Sequence, residues 1–278
     1  MARISITKCQ GTGNDFVLLD RRAGSELPYS DLAQTLCDRH VGVGADGLLV
    51  LERASNMGAD VKMRIFNADG SQAEMCGNGV RCVARYLHDR TPAAPRRLKV
   101  ETVSGTVQTE IAGSSPFSVR VDMGVPGEIR EYGKAKTVGV FGDRVDVSMG
   151  NPHCVIFVDV DLMPVDLASA ADGIAADGTY PDGVNVEIAR IFSGGPVAMR
   201  VYERGVGETQ ACGTGACAVA IAAIELGRAE SPVRVTMLGG DVTVEWAGAG
   251  ENAFLTGGAE LVFDTTLDVA DEVVAVSP

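Results

Sequence analysis

The sequence has few of the groups that bind metals, phosphates or membranes. Its three histidines, His40, His88 and His153, are not paired at zinc-ligand spacing, and no Cys-x-x-Cys occurs. No metal site is therefore expected. Lys and Arg number 24 against 37 Asp and Glu, for a formal net charge of -13. A surface that reads phosphates needs the opposite balance, so neither nucleic acid nor an anionic membrane is an expected partner. The longest apolar run, Ala216 to Ile224, is too short to span a bilayer. The opening segment, MARISITKCQGTGNDF, lacks the apolar core of a secretory signal. These features predict a cytoplasmic protein. No Lys-Ser/Thr follows either glycine-rich loop, which disfavours a nucleotide P-loop. No lysine stands in a setting that suggests pyridoxal phosphate, and no cofactor is expected.

What the chain does contain is a globular composition, with 46% hydrophobic and 22% charged residues. It also contains an internal repeat. Residues 61–84, VKMRIFNADGSQAEMCGNGVRCVA, align without a gap on residues 197–220, VAMRVYERGVGETQACGTGACAVA. The identities include Cys76, Gly77 and Gly79 against Cys212, Gly213 and Gly215, at a constant offset of 136. Each copy reads as a strand, a glycine-rich loop and a helix that opens at Cys-Gly-x-Gly. In the first helix Val80, Val83, Ala84 and Leu87 fall on one face. The second, from Ala216 to Leu226, is apolar nearly all round and is expected to be buried. Short strands are expected elsewhere, at Ile4–Lys8, Phe16–Asp20, Leu98–Thr102, Thr106–Ile111, Ser118–Asp122, Val155–Val158, Val233–Met237, Val242–Trp246 and Ala253–Phe263. Two helices among so many strands predict an α+β fold of two similar halves, each a sheet wrapped around one helix. The segment MGVPGE after Asp122 reads as a linker.

Seven cysteines, an odd number spread through the chain, do not suggest a disulfide framework. Cys82 and Cys217 lie on apolar helices and read as small buried hydrophobes, as do Cys9 and Cys37. Cys76 and Cys212 differ because each stands where a helix begins. The helix dipole and the unpaired N–H groups there favour a thiolate, so a lowered thiol pKa is expected at both. The neighbouring glycines are expected to let the backbone bend tightly and a ligand carboxylate approach the amides. Two such elements on opposite sides of an α-carbon suit stereoinversion, one thiolate removing a proton and the other thiol returning one.

Six segments resemble diaminopimelate epimerases, in that family's order along the chain: GTGNDFVLLD (11–20), HVGVGADGLL (40–49), NADGSQAEMCGNGVRC (67–82), MGNPHCVIF (149–157), GVNVEI (183–188) and YERGVGETQACGTGACA (202–218). The resemblance implies interconversion of LL- and meso-diaminopimelate without a cofactor, in lysine biosynthesis. It implies Cys76 and Cys212 as the opposed acid and base, Cys212 being the base toward LL substrate, with His153 and Glu203 assisting proton transfer. Asn14, Asn67, Asn151, Asn185, Glu203 and Arg204 match substrate-binding residues, and the amides of Gly77, Asn78, Gly213 and Thr214 would hold the reacting carboxylate. Gly47 replaces a Gln found in some members and is left out of the site. The family fold implies two pseudo-symmetric domains, each a β-barrel-like mixed sheet around a central α-helix, with the active site in the cleft between them. On that pattern residues 1–118 plus 263–278 carry Cys76 and residues 119–262 carry Cys212. A homodimer is implied by the resemblance alone. Three other readings stay open: a proline or hydroxyproline racemase using the same cysteines, a thiol redox protein, and a catalytically silent binding module.

Overall fold

A computed structural model describes residues 2–91, 95–137, 139–192 and 195–269. The chain forms two compact units, Met1–Val121 with Gly258–Pro278, and Asp122–Gly257. The first contains β1 (Ala2–Gly11), β2 (Asn14–Asp20), α1 (Tyr29–Cys37), β3 (Gly47–Glu52), β4 (Val61–Asn67), a short β5 (Gln72–Ala73), α2 (Gly77–Arg90), β6 (Arg97–Thr102), β7 (Gly105–Ser114) and β8 (Phe117–Asp122). Residues 123–128, the MGVPGE segment, have no regular structure. The second unit contains β9 (Ile129–Thr137), β10 (Val140–Ser148), β11 (Pro152–Phe157), α3 (Leu167–Ala175), β12 (Asn185–Ile191), β13 (Val197–Glu203), β14 (Gly207–Thr209), α4 (Gly213–Glu225), β15 (Val233–Met237), β16 (Gly240–Glu245) and β17 (Phe254–Gly258). The chain then returns to the first unit as β18 (Glu260–Val269), antiparallel along β1.

Strand order makes the duplication explicit. In the first unit it runs β18-β1-β2-β3-β4-β6-β7-β8, parallel only at β2/β3 and β4/β6. In the second it runs β9-β10-β11-β12-β13-β15-β16-β17, parallel only at the equivalent places, β11/β12 and β13/β15. Each parallel pair needs a crossover, and each crossover carries a helix. In the first unit α1 joins β2 to β3 and α2 lies between β4 and β6; α3 and α4 occupy the same places in the second. The repeat visible over 24 residues therefore extends through two eight-stranded sheets.

Each sheet curls around one helix. Helix α2 touches β1, β4, β7 and β18, and α4 touches β10, β11, β12, β13, β15 and β16. The expected face of α2 is buried at Val80, Val83, Ala84 and Leu87, and α4 is buried all round from Ala216 to Ala223. Helices α1 and α3 correct the expectation of two helices. They cover the outer sheet face: Leu32, Ala33 and Leu36 of α1 pack on Val17, Leu19, Leu48 and Val50. In the second unit Leu167, Ala170 and Ile174 of α3 pack on Ile156 and Ile188. Covered on both faces, β2 and β3 read as the continuous apolar runs Phe16–Leu19 and Leu48–Leu51 rather than as alternation. Each Leu, Val or Ile buried in these layers stabilises the fold by about 1.5–3 kcal/mol relative to exposure. A second correction concerns Ala253–Phe263, which is two strands broken at Ala259.

Candidate active site

Cys76 and Cys212 both occupy the N-cap position, with extended backbone, of α2 and α4. They hold equivalent places in the two units because those helices do.

In the first unit the Cys76 S–H donates to Oδ1 of Asn14 at 3.6 Å, and Nδ2 of Asn78 donates to the same oxygen at 3.2 Å. The orientation of the Asn14 amide is fixed from its other end. Its Nδ2 donates to Oδ2 of Asp46 at 2.7 Å, and Asp46 also accepts from the backbone N–H of Asp15. Arg39 bridges Asp46 and Asp15 through Nη2, 2.7 Å to each. Burial alone would raise the Asp15 carboxyl, but hydrogen bonds from Arg39 and Lys8 hold it down at about 2. The ion cluster is thus intact at neutral pH, and it directs a carbonyl oxygen at Cys76. Sequence reasoning missed Arg39 and Asp46; an acidic residue within the GADG turn was the available signal. Asn67 ends β4, bound to the Ser71 turn through Nδ2 to Oγ at 2.9 Å. Gly47 lies opposite Asn67, and a Cβ there would come within 2.7 Å of the Phe66 carbonyl oxygen. No side chain fits at Gly47 without moving backbone. Behind the site, buried Arg81 of α2 donates through Nη2 to Thr12 Oγ1 at 2.7 Å and through Nε to the Gly258 carbonyl at 3.0 Å.

In the second unit Cys212 is buried, and Sγ accepts the Gly215 N–H at 3.4 Å with Thr214 Oγ1 also 3.4 Å away. Its thiol corrects the expected lowering of pKa. Burial pushes it well above the ordinary thiol range, and the charges of Glu203 and Glu187 push the same way. The contacts to Thr214 and Gly215 oppose this without prevailing. One long N–H···S contact at a helix end does not outweigh desolvation plus two carboxylates. Glu203 itself is shifted upward by burial, against hydrogen bonds from Thr209 and Cys212 that favour the carboxylate. A thiol and a carboxyl both displaced upward, and hydrogen-bonded to each other, can exchange a proton without releasing it to water.

The glycines also receive a different explanation. Neither Gly79 nor Gly215 has positive φ. A Cβ at Gly79 would lie 2.9 Å from Leu49 Cδ2, and one at Gly215 would lie 2.7 Å from Glu187 Oε1. A side chain at either position would displace these neighbours, so the glycines let each helix pack closely on its sheet.

Around Cys212 stand further expected residues. His153, fully buried on β11, contacts Glu187 Oε1 through Nδ1 at 2.6 Å and Asn151 Oδ1 through Nε2 at 3.1 Å. Asn185 begins β12 opposite His153, and its Oδ1 accepts the backbone N–H of Arg204 at 2.9 Å. The structure separates the neighbours Glu203 and Arg204. Glu203 joins Thr209 and Cys212, while the exposed Arg204 donates through Nη1 to the Asp182 carbonyl at 3.0 Å. Gly77, Asn78, Gly213 and Thr214 form the first turns of α2 and α4, the helix end that favours a bound anion.

Comparison with known proteins identifies the family and the fold. The chain is 43% identical over 281 residues to the diaminopimelate epimerase of Desulfitobacterium hafniense, covering 95% of this chain and 98% of that one. It is 40% identical over 272 residues to that of Pseudomonas syringae pv. syringae, covering 94% and 98%. Among solved structures, a phenazine biosynthesis protein of Bacillus anthracis shares the fold with a TM-score of 0.74 at 16% identity, over 97% of this chain and all of that one. A hydroxyproline epimerase of Agrobacterium vitis does so with a TM-score of 0.70 at 16% identity, over 96% and 91%. The sequence model described as diaminopimelate epimerase matches residues 6–128 and 145–262, so the chain belongs to the diaminopimelate epimerase family.

Proposed function

We propose that Cys76 and Cys212 perform a two-base epimerisation at one α-carbon of 2,6-diaminopimelate. The reaction class comes with the family: the chain is an isomerase that epimerises diaminopimelate without a cofactor, in the lysine pathway. One observation carries the assignment to these thiols. Both cap topologically equivalent helices, and each has a specific partner for its proton, Asn14 for Cys76 and Glu203 for Cys212.

From LL substrate, Cys212 first gives its thiol proton to Glu203. The thiolate then takes the α-proton and becomes a thiol again. The electron pair left on carbon spreads into the carboxylate, which the amides of Gly77, Asn78, Gly213 and Thr214 stabilise. Cys76, an S–H donor at rest, delivers its proton to the opposite face and becomes the thiolate. The reverse reaction starts from that thiolate, and Glu203 and His153 serve in returning protons between turnovers. Asn14, Asn67, Asn151, Asn185 and Arg204 bind the substrate's polar groups, with the Arg204 guanidinium suited to a carboxylate.

Turnover of LL-diaminopimelate in deuterium oxide should place solvent deuterium at the α-carbon of the meso product, read by mass spectrometry. A redox protein or a silent binding module would leave that carbon unlabelled. L-Proline should remain unchanged; its turnover in place of diaminopimelate would overturn the substrate assignment.

Among the described residues no helix is long and apolar enough to cross a membrane, and we place the protein in the cytoplasm. We also propose a homodimer. Sedimentation equilibrium should then report twice the chain mass of 29.0 kDa, and a 29.0 kDa species would refute it.

A further inference from the structure

We infer that Glu187 is a positioning residue, which acts through His153 by holding a proton on Nδ1 and so presenting Nε2 to the reaction. The inference rests on the role given to His153 above. Glu187 lies on β12 two residues beyond Asn185, on the same face, in the otherwise apolar run Val186 to Ala189. Its side chain and that of His153 are both 0% exposed. A carboxylate removed from water this completely is strongly disfavoured unless it is paired and hydrogen-bonded. Its Oε1 meets His153 Nδ1 at 2.6 Å, and Oε2 has no hydrogen-bond partner among the described residues. Gly215 leaves room for the carboxylate, since a Cβ there would come within 2.7 Å of Oε1.

An ionised carboxylate only accepts, so the imidazole must donate from Nδ1. That fixes the ring plane and leaves Nε2, beside Asn151, as the nitrogen that gains and loses a proton. The logic is that of a carboxylate orienting an imidazole in a hydrolytic triad. Glu187 has no exposed surface with which to touch substrate, so its influence must pass through its neighbours. The titratable groups around it are His153 and Cys154 on β11, Glu203 on β13 and Cys212 ahead of α4.

Glu187→Gln keeps the shape and removes the charge. Its kcat should fall by about 10–100-fold, the usual effect of losing an orienting partner, with KM changed by less than about twofold. The limbs of its pH–rate profile should move to lower pH, because a negative charge that raises Cys212 and Glu203 has been withdrawn. In a His153→Ala background the same substitution, compared at each variant's own pH optimum, should change kcat by less than about twofold. Multiplicative losses in that double variant would overturn the inference. A second readout does not depend on turnover. With three histidines in the chain, nitrogen-15 NMR can assign His153 by comparison with His153→Ala. The wild-type ring should carry its proton on Nδ1, and that signature should change in Glu187→Gln. An Nδ1 without a proton in the wild type would refute the positioning role while leaving the epimerase reading standing. Failure of the wild type to label diaminopimelate would instead refute that reading.

Discussion

Serine in place of either Cys76 or Cys212 should lower kcat/KM for epimerisation by about 10³-fold, within the range for loss of a general acid or base. The substitution removes one polarisable atom and keeps the shape, so the loss tests proton chemistry rather than packing. A serine hydroxyl is much harder to ionise than a thiol, and the Cys212 environment makes matters worse. That site already disfavours negative charge through burial and the carboxylates of Glu203 and Glu187. Inversion needs both groups in both directions, since the proton leaves one face and arrives at the other. The double variant should therefore be no slower than the slower single variant, as expected for residues acting as a unit. Chiral chromatography of LL and meso product gives the rates, and circular dichroism checks that each variant is folded. Near-normal activity in either single variant would sink the two-thiol mechanism.

How much of this was legible in the sequence depends on what each residue had to signal. The two cysteines were legible because the copies kept Cys-Gly-x-Gly at one offset, and the helix starts followed from it. Helices α1 and α3 were not, because YSDLAQTLC and LASAADGIA have diverged beyond recognition as a pair. They are short and cover the outer sheet face, where many apolar combinations fit. Strand β3 hid for a different reason. Buried on both faces, Leu48 to Leu51 gives no alternation to read.

The site was legible in its motifs and much less so in its electrostatics. Cys212 caps a helix as its neighbours in sequence imply, yet its thiol shifts upward. Burial is the larger cause, and the charges of Glu203 and Glu187 add to it, brought there by β13 and β12 from nine and 25 residues upstream. Only the fold assembles that charge. Glu187 itself left a trace, a lone acidic residue in a strand otherwise apolar from Val186 to Ala189. Asp46 left a similar one ahead of Gly47. In both cases the chain accepts an acidic residue beside apolar strand residues, and the carboxylate orients a side chain next to a cysteine.

Glu203→Gln should slow epimerisation by about 10²–10⁴-fold, the contribution typical of a positioned general base. The same change should make the protein more stable as pH rises. An amide can still accept from the Thr209 hydroxyl, but it cannot take the Cys212 proton, so the thiolate loses its route of formation. The stability effect follows from the direction of the shift. Burial raises the Glu203 pKa in the native state above its ordinary value of 4.5. Between those two values the native state holds more protons than the unfolded chain, so wild-type stability falls as pH increases through that interval. Glutamine does not titrate and is spared this loss. Thermal midpoints of the two proteins should therefore lie close together below pH 4.5 and diverge in favour of Glu203→Gln above it. A variant that is slow but no more stable at neutral pH would show that the carboxyl is not strained by burial. One that keeps wild-type turnover would remove Glu203 from the proton path, and Cys212 would then need another acceptor for a proton that its surroundings hold tightly.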